Sequence, residues 1–205
     1  MLKKISLITL FTFGSFLVAD DLKPILQMGY DFGGTTLATV EHDGYYDSSI
    51  NKIRAGQGLS FEMGAVVDSP NLELQFLVGY KFDNDSASNG DVTWDVIPFT
   101  ATAMFKSRRW KMGGGLTYHL NPALAGSFKG YDQDGKAFND KADDEYQDAI
   151  GGVVQMQYRA TNNFSIGVKG TFIEYKLKKD NTQVANGDSI GVNISYVFGE
   201  RSRFR

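Results

Sequence analysis

Leu72-Glu73-Leu74-Gln75-Phe76-Leu77-Val78-Gly79-Tyr80-Lys81-Phe82 decides the fold of this chain. Leu72, Leu74, Phe76, Val78, Tyr80 and Phe82 share one face, and Glu73, Gln75, Leu77, Gly79 and Lys81 share the other. A period of two marks a β-strand, and about eleven residues is the length a tilted strand needs to cross a bilayer. Near the C-terminus, Ile190, Val192, Ile194, Tyr196 and Phe198 alternate with Gly191, Asn193 and Ser195 in the same way. Taken alone, either apolar face would equally suit the core of a soluble sheet.

Five more segments repeat the pattern. Leu26, Met28, Tyr30 and Phe32 oppose Gln27, Gly29 and Asp31. Leu59, Phe61, Met63 and Ala65 oppose Gly58, Ser60, Glu62 and Gly64. Trp110, Met112, Leu116, Tyr118 and Leu120 oppose Lys111, Gly113, Gly115, Thr117 and His119. Ile150, Val154, Met156 and Tyr158 oppose Gly151, Gln155 and Gln157, while Phe164, Ile166, Val168 and Phe172 oppose Ser165, Gly167, Lys169 and Thr171. An eighth strand near Val92–Lys106 has two largely apolar faces, Trp94/Val96/Pro98/Met104 and Ile97/Phe99/Ala101/Phe105, so its inward side stays open.

Connections alternate between long and short. Asp68-Ser69-Pro70-Asn71, Ser107-Arg108-Arg109 and Ala160-Thr161-Asn162-Asn163 are tight turns. Val40–Lys52, Asp83–Asp91, Asn121–Asp148 and Lys176–Asp188 are long, polar and all on the other side. That one-sided distribution predicts an all-β, closed antiparallel up-and-down transmembrane barrel with short periplasmic turns and long extracellular loops. Two aromatic girdles are expected: Tyr80, Phe82, Trp94 and Tyr118 outside, and Phe105, Trp110, Tyr158, Phe164, Tyr196 and Phe198 inside. Open edges are not tolerated in hydrocarbon, so first and last strands must pair. An eight-stranded interior is about wide enough for its own side chains. Asp31, Glu62, Glu73, Gln75, Lys81, Lys111, Gln155, Gln157 and Lys169 therefore read as an ion-paired filling of the lumen.

Lys3 and Lys4, an apolar run from Ile5 to Val18 and the small Ala19 read as a signal peptide over 1–19. The run is too short for a membrane helix, and no later stretch approaches the required length. The leader carries two of the 21 basic residues and none of the 24 acidic ones, which leaves the mature chain at −5 and disfavours nucleic acid as a partner. The chain has no cysteine, so neither a disulfide nor a lipid-modified cysteine is available. Residues 20–198 read as one barrel domain and 199–205 as a short basic tail.

Ser189-Ile190-Gly191-Val192-Asn193-Ile194-Ser195-Tyr196 fits the signal that the barrel assembly machinery reads in last strands. Ile97-Pro98 with its partner Trp110-Lys111-Met112-Gly113-Gly114-Gly115-Leu116-Thr117-Tyr118 looks like the middle hairpin of such barrels. With these features the chain resembles, over Asp20–Phe198, the small eight-stranded outer-membrane barrels that include the OmpA transmembrane domain, OmpX and OmpW. It departs from them in running past the final aromatic residue, Phe198, to Arg205. The resemblance implies a monomer in the outer membrane of a Gram-negative bacterium, with membrane lipid, lipopolysaccharide and the assembly machinery as partners. The role it implies is structural, surface-interacting or one of narrow solute passage, without catalysis or cofactor.

Asp132, Asp134, Asp140, Asp143, Asp144, Glu145 and Asp148 cluster in one long loop, but the spacing lacks the closing ligand of a calcium loop, so a solvated surface is expected. Tyr118-His119-Leu120-Asn121 resembles the His-x-Ser-Asn segment of lipid A deacylases with Asn121 in the serine's place, so His119 is expected to be a lumen residue near the outer rim. His42 and His119 are the only histidines, too few for a zinc cluster. Lys176-Leu177-Lys178-Lys179 is either a solvated strand end or a phosphate contact. A soluble periplasmic carrier of an apolar ligand is the competing fold, and it would place the leucine and aromatic faces inward.

Overall fold

A computed structural model describes residues 22–43, 48–87, 90–131 and 137–199. The expected signal peptide, residues 200–205 of the expected basic tail, Asp132 and Asp134 lie outside these residues.

The strands are β1 (Leu22–Gly33), β2 (Thr36–Asp43), β3 (Ser48–Arg54), β4 (Gly58–Asp68), β5 (Leu72–Ala87), β6 (Gly90–Ser107), β7 (Trp110–Tyr131), β8 (Ala137–Glu145), β9 (Ala149–Arg159), β10 (Phe164–Phe172), β11 (Glu174–Lys176), β12 (Val184–Asn186) and β13 (Ser189–Val197). Eight of them form a ring in the order β1, β4, β5, β6, β7, β9, β10, β13, every neighbour antiparallel. The ring closes where β13 pairs with β1, from Ile25 opposite Val197 to Gly33 opposite Ser189. No sheet edge in the wall is left unpaired, as a hydrocarbon environment demands.

The walls are inside out relative to a soluble protein. Phe61, Met63, Phe76, Leu116, Ile150, Phe172 and Ile190 point outward and are exposed, whereas all nine predicted lumen residues, from Asp31 to Lys169, are buried. An apolar skin around a polar filling is the arrangement of a membrane-spanning barrel. The soluble-carrier alternative required the reverse and is excluded by this sidedness.

β6 resolves the face the sequence left open. Val92, Trp94, Val96, Pro98, Thr100, Thr102 and Met104 point in, and Phe99, Ala101 and Phe105 point out. Trp94 is accordingly not part of the outer girdle; it is fully buried in the lumen. The remaining outer-girdle residues face outward, as does the inner set, with Trp110 against Tyr158 at 5.1 Å and Tyr196 against Phe198 at 4.9 Å between ring centres.

The expected long loops prove to be partly strand. β2 pairs with β3, the outer end of β7 with β8, and β11 with β12, while β5 and β6 continue past the wall to Ala87 and Gly90. A bulge makes the extension of β7 possible. Asn121 takes φ +48°, and the register with β6 shifts between Asp95 and Ile97. The extra residue reverses the alternation, so Thr117 and His119 face inward before it and Pro122 and Leu124 after it.

Candidate functional site

The barrel interior is stacked in layers. Near the short turns Ile25, Val66, Leu77 and Val197 form a small apolar cluster. In the same half, the Lys111 ammonium donates to both oxygens of Glu73, at 2.9 and 3.1 Å, and Gln75 Nε2 donates to Glu73 Oε1 at 2.6 Å. A belt of amides follows, in which Gln155 and Gln157 approach Gln27 Oε1 at 3.3 and 3.5 Å and Gln157 reaches Ser195 Oγ at 3.4 Å. Next come Lys169 on Glu62 at 2.9 Å and Lys81 on Asp31 at 2.8 Å. Lys169 also stands 3.9 Å from Asp31, and Lys81 donates to the Gly56 carbonyl at 2.6 Å. Three lysines thus meet three carboxylates, so the filling is neutral and each buried charge has a partner. Gly191 belongs to this arrangement, because a Cβ there would collide with the Asp31 carboxylate.

Above the ion pairs an aromatic cap closes the outer mouth. Trp94, Tyr146 and Tyr175 pack edge to face, with Trp94 5.4 Å from each tyrosine ring. Ile53, Ala55, Val92, Leu124, Ala149, Ile173 and Ala185 complete the cluster. These residues come from the hairpin β2–β3, the outer ends of β6 and β7, and the segments around β9, β11 and β12, so one core holds the outer hairpins to the barrel. His119 sits beneath it as expected, buried, with Nδ1 2.6 Å from the Tyr175 hydroxyl. The serine position of the deacylase-like segment is the bulge itself. There the Asn121 N–H donates to Asp148 at 2.9 Å, and the Tyr118 hydroxyl donates to the same carboxylate at 3.1 Å. The backbone of His42 pairs opposite Ser49 in β2–β3, at the far end of that hairpin.

Two features that the sequence presents separately are partners on the outer surface. Lys178 bridges Glu145 at 3.1 Å, and Lys179 reaches Asp144 at 3.4 Å and the Asp143 carbonyl at 2.7 Å. Backbone bonds from Lys178 N to Glu145 O and from Gln147 N to Lys176 O lock the two segments together. Among the described residues no three carboxylates or histidines converge as a metal site would need. Two outer carboxylates are tuned in opposite directions. Hydrogen bonds from Thr182 hold Asp180 below its ordinary range, and burial pushes Asp83, just beyond the Phe82 girdle, above it.

No protein-family model and no curated protein matches the sequence. Among solved structures the chain is similar to Ail, the attachment invasion locus protein of Yersinia pestis, in complex with the heparin analogue sucrose octasulfate. The identity is 13%, the match covers 86% of this chain and 97% of that one, and the TM-score is 0.49. It is also similar to Neisserial surface protein A, at 13% identity, 86% and 96% coverage and a TM-score of 0.42. The translocator domain of the autotransporter NalP from Neisseria meningitidis matches at 14% identity, 92% coverage of both chains and a TM-score of 0.30.

Proposed function

We propose that this protein is a monomeric, non-catalytic barrel of a Gram-negative outer membrane, whose working surface is the set of outer hairpins and whose lumen is closed to solute flux. The observation that carries this reading is the layered filling: an apolar cluster, an amide belt, neutral ion pairs and an aromatic cap occupy successive levels. A narrow-passage role would need a continuous polar path, and the cap interrupts it. The hairpins, by contrast, are tied to one core and to one another, which gives the outer face a fixed shape on which lipopolysaccharide or another surface partner is recognised. β13 supplies the segment through which the assembly machinery would engage the chain.

The test places the protein and its surface separately. Intact cells are treated with protease, and the outer-membrane fraction is run unheated and boiled. Cleavage confined to the β2–β3, β7–β8 or β11–β12 hairpins, with a heat-dependent mobility shift, supports the proposal. Recovery in the osmotic-shock fluid without a shift contradicts it.

A further inference from the structure

We propose that the inner rim of the barrel binds the phosphate of an acidic phospholipid between Arg108, Arg109 and Arg159, against the rings of Trp110 and Tyr158. The inference rests on the membrane orientation given above, which sets the tight turns in the inner leaflet.

These five residues line a cleft of about 670 Å³ where the β6–β7 turn meets the end of β9. The Arg159 N–H donates to the Arg109 carbonyl at 2.7 Å, Arg159 Nη2 donates to the Arg108 carbonyl, and Arg109 Nη1 donates to the Tyr158 hydroxyl at 2.9 Å. The guanidiniums of Arg109 and Arg159 are therefore positioned by the fold, yet the buried Nε of Arg159 has no partner among the described residues. Planar guanidinium forks match phosphate oxygens, and Trp and Tyr mark the headgroup level of a membrane.

Charge and backbone point the same way. Among the described residues at this rim, Lys23 and Lys106 both engage Asp68, and Arg108 and Arg159 add cationic side chains beside them. The two-residue β6–β7 turn also holds its first residue, Arg108, at φ +49°, a conformation for which glycine, asparagine or aspartate is the ordinary choice. An arginine kept in a left-handed position at the surface has a side chain worth that strain.

The experiment uses the folded full-length barrel in detergent, verified by its heat shift, and counts retained lipid by native mass spectrometry. Phosphatidylglycerol and phosphatidylcholine of identical chains are offered together, with and without excess inorganic phosphate. Preferential retention of phosphatidylglycerol, by roughly tenfold or more and resistant to phosphate, is expected. Arg108→Gly relieves the backbone and removes one fork, so it should keep the heat shift and weaken the preference; R108G/R109Q/R159Q should abolish it. Equal retention of the two lipids, an unchanged preference in the triple variant, or complete displacement by inorganic phosphate overturns the inference. A barrel that keeps its heat shift but shows no preference refutes this site alone; a chain with no shift and no membrane fraction refutes the membrane barrel on which it rests, and protease cleavage of intact cells at the tight turns refutes the orientation.

Discussion

Lys111→Met tests whether the lumen is packed or wet. Lys111 and Glu73 have side chains only 2% and 3% exposed, and they meet through two contacts near 3 Å. Methionine retains the stem and removes the charge, leaving the Glu73 carboxylate buried with the Gln75 amide as its remaining donor. Breaking one side of a buried pair costs about 3–5 kcal/mol, whereas the same pair in contact with water would be worth about 0–1 kcal/mol. At about 1.4 kcal/mol per decade, the packed case lowers the folded-to-unfolded ratio by roughly two to four orders of magnitude. The assay is urea unfolding in lipid vesicles, read by the fraction that retains the unheated gel mobility. The double variant E73Q/K111M removes both charges and should recover most of the loss. A single variant within about 1 kcal/mol of the parent protein would refute the reasoning, because it would place bulk water beside the pair.

Three further outcomes follow from the same structure. Trp94→Ala empties the centre of the aromatic cap and should lower stability by about 3–5 kcal/mol in the same assay, a loss that a girdle residue facing lipid would not produce through cavity formation. Leu116→Arg, mid-wall and 61% exposed, should cost about 2–4 kcal/mol in vesicles; a change near zero would mean that this face meets water rather than lipid. Asp83→Asn should stabilise the protein at neutral pH. Burial raises the folded-state pKa of Asp83, so the fold binds its proton more tightly and loses stability as pH climbs from the unfolded value towards the folded one. The gain from asparagine should therefore vanish below about pH 4, and a gain equally large there would show that ionisation is not its cause.

The spanning part of the barrel is legible because period two is local: Asp31, Glu62, Glu73 and Lys169 reveal their side within a few residues. Their partners are not. Lys169 finds Glu62 across 107 positions and Lys81 finds Asp31 across 50, distances fixed only by ring closure and register. β6 conceals its inward side because it builds the cap with apolar residues on one face and meets lipid with apolar residues on the other. The outer hairpins escape a periodicity reading for a different reason. They stand clear of lipid, carry polar residues on both faces, and contribute to the cap single aromatics such as Tyr146 and Tyr175 amid acids and lysines. The bulge at Asn121 adds one residue and reverses the pattern, so a strand of 22 residues reads as eleven followed by a loop. The one local signal for the inner rim is the presence of Arg108 and Arg109 in a two-residue turn, where glycine or asparagine is the usual occupant of the first position; Arg159, at the end of β9, carries no such mark.

Planar-bilayer recording of the heat-modifiable protein tests the sealed barrel most directly. The packed ion pairs and aromatic cap predict insertion without steady conductance steps, whereas a stable porin-sized conductance would contradict the account.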